Sequence, residues 1–134
     1  MNQDLKNMRL AIKMASNAGS DCPIGCVIAK GDLVLSARHN EVMADSDPTA
    51  HAEILCIKEA CDKLNSRYLT AYTMYCTLEP CPMCLEAINL AKVGSVIFGA
   101  FRPQGEEMNP PMIGGILEPE CRALLDKFFA DLRR

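Results

Sequence analysis

The chain has 134 residues, of which 49% are hydrophobic and 23% charged, and carries a net charge of −3. This composition predicts one well-filled domain over residues 1–134 and excludes a disordered tail, a fibrous repeat and a membrane helix, which needs about 18 to 20 consecutive apolar residues. The acidic balance excludes a general attraction to phosphate backbones, so any nucleic-acid contact has to come from a local patch such as Lys127, Arg133 and Arg134.

Leu5, Met8, Ile12 and Ala15 recur at helical spacing and predict an amphipathic helix that ends near Gly19. No apolar leader occurs within Met1 to Ser20, so the eight cysteines are expected in a reducing compartment, the cytoplasm. Gly25 to Ala29 and Leu33 to Ala37 read as strands joined by a tight turn at Lys30, Gly31 and Asp32. Asp47 followed by Pro48 predicts the start of a second helix, with Ile54, Leu55, Ile57, Cys61 and Leu64 on its buried face. Ala71 to Thr77 reads as a strand, Pro82 to Lys92 as a helix and Val96 to Phe98 as a strand, an alternation that predicts parallel crossovers. Prolines and glycines break up the segment from Arg102 to Gly115 into a loop with one short strand near Met112. A closing helix from Pro119 onward is expected to bury Cys121, Leu124, Leu125, Phe128 and Leu132.

Two motifs carry chemistry: His51-Ala52-Glu53 and Pro80-Cys81-Pro82-Met83-Cys84, each at a predicted helix start. A βαβ crossover between them brings both starts to one side of the sheet, where open α/β sheets place their ligands. Zinc prefers nitrogen and sulfur donors, and three protein ligands, His51, Cys81 and Cys84, leave a fourth position for water or substrate. The two cysteines share one face of a first helical turn, beside the positive end of its dipole. Zinc brings the pKa of water to about 7, so the expected reaction is hydrolytic. Glu53, two residues from His51, can face that water without ligating and serve as the general acid and base. H-x-E with P-C-x-x-C is the signature of zinc nucleobase deaminases, in which the Glu moves protons and is not a ligand.

Beyond these motifs the chain resembles the bacterial tRNA adenosine deaminases. DPTAHAE over residues 47–53, TLEPCPMC over 77–84, IFGA over 97–100 and GILEPECRALLDKFFADLR over 115–133 carry the resemblance. It implies a cytidine deaminase-like three-layer α/β/α fold, with a mixed four- to five-stranded sheet and helices on both faces. It also implies one zinc ion per chain, conversion of a wobble adenosine to inosine in a tRNA anticodon loop, and a homodimer. By the same resemblance Asn40 contacts the purine, and Phe128 and Phe129 match aromatics beside the anticodon nucleotides. Of these two, Phe128 fits the buried stripe, which leaves Phe129 as the substrate contact. Two features depart from the family: the 102–115 segment is about half the usual length, and Arg102 stands where an acidic residue is common while Glu86 follows a leucine where small residues are preferred.

Three alternatives stand beside this reading. DPTAHAE and PCPMC also occur in bacterial guanine deaminases, so the substrate can be a small free base or nucleoside: guanine, cytosine or cytidine. A closed structural zinc site would recruit Cys76 or Cys56 as a further ligand. A non-catalytic zinc-binding subunit would keep the metal but have no use for Glu53.

Overall fold

A computed structural model describes residues 2–103 and 111–133. Gly31, at φ +60°, and Asp32 turn the chain between β1 (Gly25–Lys30) and β2 (Leu33–His39), which pair antiparallel. A left-handed residue in a two-residue hairpin turn suits glycine, which has no Cβ to clash. The remaining elements are α1 (Asn2–Ser16), α2 (Ala52–Leu64), β3 (Thr73–Leu78), α3 (Pro82–Ala91), β4 (Ser95–Ala100), β5 (Met112–Ile113) and α4 (Glu118–Leu132). Part of the predicted loop, residues 104–110, and Arg134 of the basic terminus lie outside the described residues.

The five strands form one mixed sheet in the order β2-β1-β3-β4-β5. β1 runs antiparallel to both β2 and β3, while β3, β4 and β5 are parallel. Neighbouring residues along a strand face opposite sides, and this splits the core in two. Ile28, Met74, Cys76, Val96 and Phe98 meet α2 and α3 on one face through Cys56, Ala60, Leu85 and Ile88. Val27, Ala29, Tyr75 and Ile97 meet α1 and α4 on the other through Met8, Ala11, Cys121 and Leu125. The result is the three-layer α/β/α arrangement, with five strands. Among the described residues no helix is long and apolar enough to cross a membrane.

Three local expectations are corrected. α2 starts at Ala52, not at Asp47-Pro48. The Asp47 carboxylate instead accepts the Thr49 N–H and hydroxyl at 2.9 and 2.7 Å, closing a turn of its own before the helix. The buried face of α2 is Ala52, Glu53, Cys56 and Ala60, with Ile57 and Cys61 only partly covered and Leu64 exposed. Small residues let this helix lie close on the sheet, so the bulkier ones flank the contact. On α4 only Cys121 and Leu125 are fully buried, and Leu132, the last residue of the helix, is exposed.

Candidate active site

The strand directions build one rim. β2 ends at His39 opposite the start of β1, and the Gly25 N–H donates to the Thr77 hydroxyl near the end of β3 at 3.1 Å. β4 ends at Ala100, in register with Leu78. The chain leaving β2 reaches the N-terminus of α2, and the chain leaving β3 reaches the N-terminus of α3, on the same face of the sheet. The two motifs therefore converge, as the crossover argument requires.

His51 is the N-cap of α2 and Cys81 the N-cap of α3, both in extended backbone, with Pro82 opening α3. The His51 Nδ1 lies 3.6 Å from Cys81 Sγ and 3.5 Å from Cys84 Sγ. The ligand atoms of the three residues all fall within 4.8 Å of one another. One nitrogen and two sulfurs at such separations fit zinc, with its preference for a mixed tetrahedral shell. Burial, then Glu53 and Cys81, push the Cys84 thiol far above its ordinary range, so the Cys84 sulfur needs a cation beside it to exist as a thiolate. Cys56 and Cys76 are not part of the group. The Cys56 thiol donates to the Cys26 carbonyl at 3.1 Å, and the Cys76 Sγ lies 4.0 Å from Cys26 Sγ, so both belong to the core beneath the site. A closed four-ligand site through either cysteine is not what the chain builds.

Glu53 is only 4% exposed, and its Oε1 has no hydrogen-bond partner among the described residues. A buried carboxylate oxygen without a partner is costly, on the order of 1–3 kcal/mol, which points to a partner entering the site from solution. Burial raises its pKa; its own backbone N–H, His51, Cys84 and Arg102 pull the other way. A carboxylate lifted from its usual range beside a metal-binding group is suited to accept and return a proton.

Asn40, also buried, accepts the Ala52 N–H with its Oδ1 at 2.8 Å, while its own N–H is held by the Ile24 carbonyl. Its side chain thus caps α2 beside His51 and fixes the direction of its amide NH2 group. The structure brings Asn40 to the metal-binding group and Glu53 but sets Phe129 apart from them. Phe129 lies on α4, which packs on the other face of the sheet, where it is 46% exposed and meets Phe128 edge-on at 5.4 Å.

Two buried acids escaped the sequence reading. Glu79 accepts the Arg102 N–H at 2.9 Å and donates its own N–H to the Ala100 carbonyl, which ties the turn carrying Cys81 to the exit of β4. Its signal was present in the TLEPC run, where an acid directly precedes Pro80 at the end of an apolar strand. Asp21 accepts the Met43 and Ala44 N–H groups at 2.7 and 3.2 Å and clamps the loop that follows Asn40. Nothing around Asp21 in the sequence distinguishes it from a surface turn.

Comparison with known proteins extends the geometry. Residues 1–100 match the model of the cytidine and deoxycytidylate deaminase zinc-binding region. The chain is 39% identical to the tRNA-specific adenosine deaminase of Bacillus subtilis (strain 168), over 100% of this chain and 93% of that protein. It is 42% identical to the guanine deaminase of the same organism, over 63% of this chain and 54% of that protein. Among solved structures, one from a study of A-to-I editing by tRNA:A34 deaminases superposes with a TM-score of 0.84 at 32% identity, covering 90% of this chain and 99% of that one.

Proposed function

From the premise that the chain belongs to the cytidine and deoxycytidylate deaminase zinc-binding family, alongside the tRNA-specific adenosine deaminases, we propose that it converts the wobble adenosine of tRNA to inosine, releasing ammonia. The likeness to the tRNA enzyme runs the whole length of the chain, α4 included, and this carries the choice of substrate. The likeness to the guanine deaminase stops at 63% of it.

His51, Cys81 and Cys84 would hold the zinc ion, one per chain. When bound, zinc supplies a Lewis acid that makes water nucleophilic near pH 7. Glu53, with its unpartnered Oε1, would take a proton from the attacking water and give it to the purine ring nitrogen next to the reacting carbon. Water oxygen bonds to C6, and Glu53 then carries the second proton to the exocyclic nitrogen. The C–N bond breaks, ammonia leaves and the C6 carbonyl remains. Asn40, its Oδ1 committed to α2, presents its amide NH2 to an acceptor on the base. Phe129, exposed on α4, offers a stacking face for a neighbouring nucleotide.

The whole chain acts as one domain, in the cytoplasm and as a homodimer in this reading. A groove of about 680 Å³ between α2 and α3, lined in part by Ile57, Tyr68 and the exposed Leu90, supports an association surface on that face. A second reading, deamination of a free base such as guanine, draws on the net charge of −3 and on the guanine deaminase likeness. Ammonia release measured against unmodified tRNA, adenosine, guanine and cytosine separates the two. Turnover of tRNA alone is expected, and turnover of free bases alone would replace the first reading by the second.

A further inference from the structure

β4 delivers a cation to the rim of the site. Leu78 and Ala100 are in register, and Arg102, two residues past the end of β4, is held beside Glu79, two residues before Cys81. Its backbone is fixed there: the Arg102 N–H donates to Glu79 Oε1 at 2.9 Å, and Glu79 is itself tied to the Ala100 carbonyl at 2.8 Å. Arg102 is half-buried, which holds the stem of its side chain while leaving it open to solvent. A second guanidinium serves the same segment, since Arg122 Nη2 donates to the Phe101 carbonyl at 2.5 Å. Arg102 lies near enough to Glu53 for its charge to be felt there.

A cation at this place has little use for a neutral base. A nucleotide whose base reaches Glu53 leaves its sugar and phosphate at the rim, within the span of an arginine side chain, and a guanidinium binds phosphate oxygens in a two-pronged geometry. We propose that Arg102 is a specificity residue that recognises the phosphate of the substrate nucleotide, so that the site selects a phosphate-bearing adenosine over the free nucleoside. This rests on the reading of the site as an adenosine deaminase and adds the group by which the substrate is held. The phosphate can belong to an RNA strand or to a free nucleotide; the chemistry of recognition is the same.

The test uses the zinc-loaded protein in a Glu53→Gln background, which prevents turnover, and three probes: adenosine, adenosine 5′-monophosphate and an unmodified RNA hairpin with adenosine in its loop. Binding is followed as a function of salt, with and without Arg102→Ala. The expected result is that Arg102→Ala leaves adenosine binding unchanged and weakens a phosphate-bearing probe about tenfold or more. The slope of log affinity against log salt for the hairpin should flatten by about 0.7, the value for one single-strand phosphate contact. Weakening of the hairpin alone assigns the phosphodiester of RNA, and weakening of the monophosphate alone assigns a free nucleotide. Arg102→Lys, which keeps the charge, should restore the slope and recover part of the affinity. Equal affinities and slopes in wild type and Arg102→Ala would overturn the proposal, as would a wild-type protein that binds neither phosphate probe better than adenosine. Deamination of tRNA by the protein with Glu53 intact tests the substrate reading separately, so the two can fail independently.

Discussion

Glu53 is buried with one oxygen unpartnered beside three metal-binding side chains, which gives the sharpest single-residue expectation. Glu53→Gln keeps the shape and removes the exchangeable charge, so turnover should fall by about 10²–10⁴ or more while metal analysis still finds one zinc per chain. Loss of zinc from that variant would recast Glu53 as a ligand. Tyr75 gives a second expectation, away from the site. Burial, then its 2.7 Å hydrogen bond to Asp4, push its phenol up to about 12. An unfolded tyrosine ionises near 10, so the stability Tyr75 contributes is complete below that pH and is lost as pH rises from about 10 to about 12. Urea unfolding should show a decline over this window that is shallower in Tyr75→Phe. His51, Glu53, Cys81 and Cys84 were legible in the sequence because their chemistry demands those residue types at that spacing. Glu79 and Asp21 were not, since each acts on backbone groups distant in sequence.

At the scale of the elements, the junction between Asn40 and α2 is where the sequence misleads. Asp47-Pro48 carries every local sign of a helix start, yet the side chain that caps α2 comes from twelve residues before it. A cap supplied through space leaves no local pattern. Asn40→Ala should therefore cost about 1–2 kcal/mol in denaturant unfolding and also lower zinc affinity, because the capped turn carries His51. A stability loss with no change in zinc affinity would separate the cap from the site. The contact of α1 with β1 makes a harder demand. A Cβ at Gly25 would sit 1.9 Å from the Ala11 carbonyl oxygen, so Gly25→Ala should destabilise by about 3 kcal/mol or more. Helices and strands with a clear apolar period, such as α1, β1 and β2, were foreseen close to their observed bounds. The buried faces of α2 and α4 were not, because small residues set the contact on α2 and Leu132, though at helical spacing, is exposed at the end of α4.

For the whole molecule, the alternation of elements predicted parallel crossovers and the family resemblance implied the layers and the mixed sheet, while the strand order was not foreseen. Placing β1 between β2 and β3 depends on long-range pairing that no local pattern encodes. The metal would link that architecture to the reaction: His51 caps α2, and Cys81 and Cys84 open α3, so a bound zinc would join the two helix starts. Removing it by chelation should lower the thermal midpoint, by an amount that corresponds to about 4 kcal/mol at free zinc a thousand times its Kd, and adding zinc back should restore it. The proposed substrate is also argued at this scale, from the full-length likeness to a tRNA-specific adenosine deaminase. The most direct measurement is the inosine content of unmodified tRNA after incubation with the zinc-loaded protein, alongside the ammonia released. The account predicts one inosine at the wobble position for each ammonia, and none with Glu53→Gln. Ammonia from free guanine or cytosine, with the tRNA left unchanged, would contradict it.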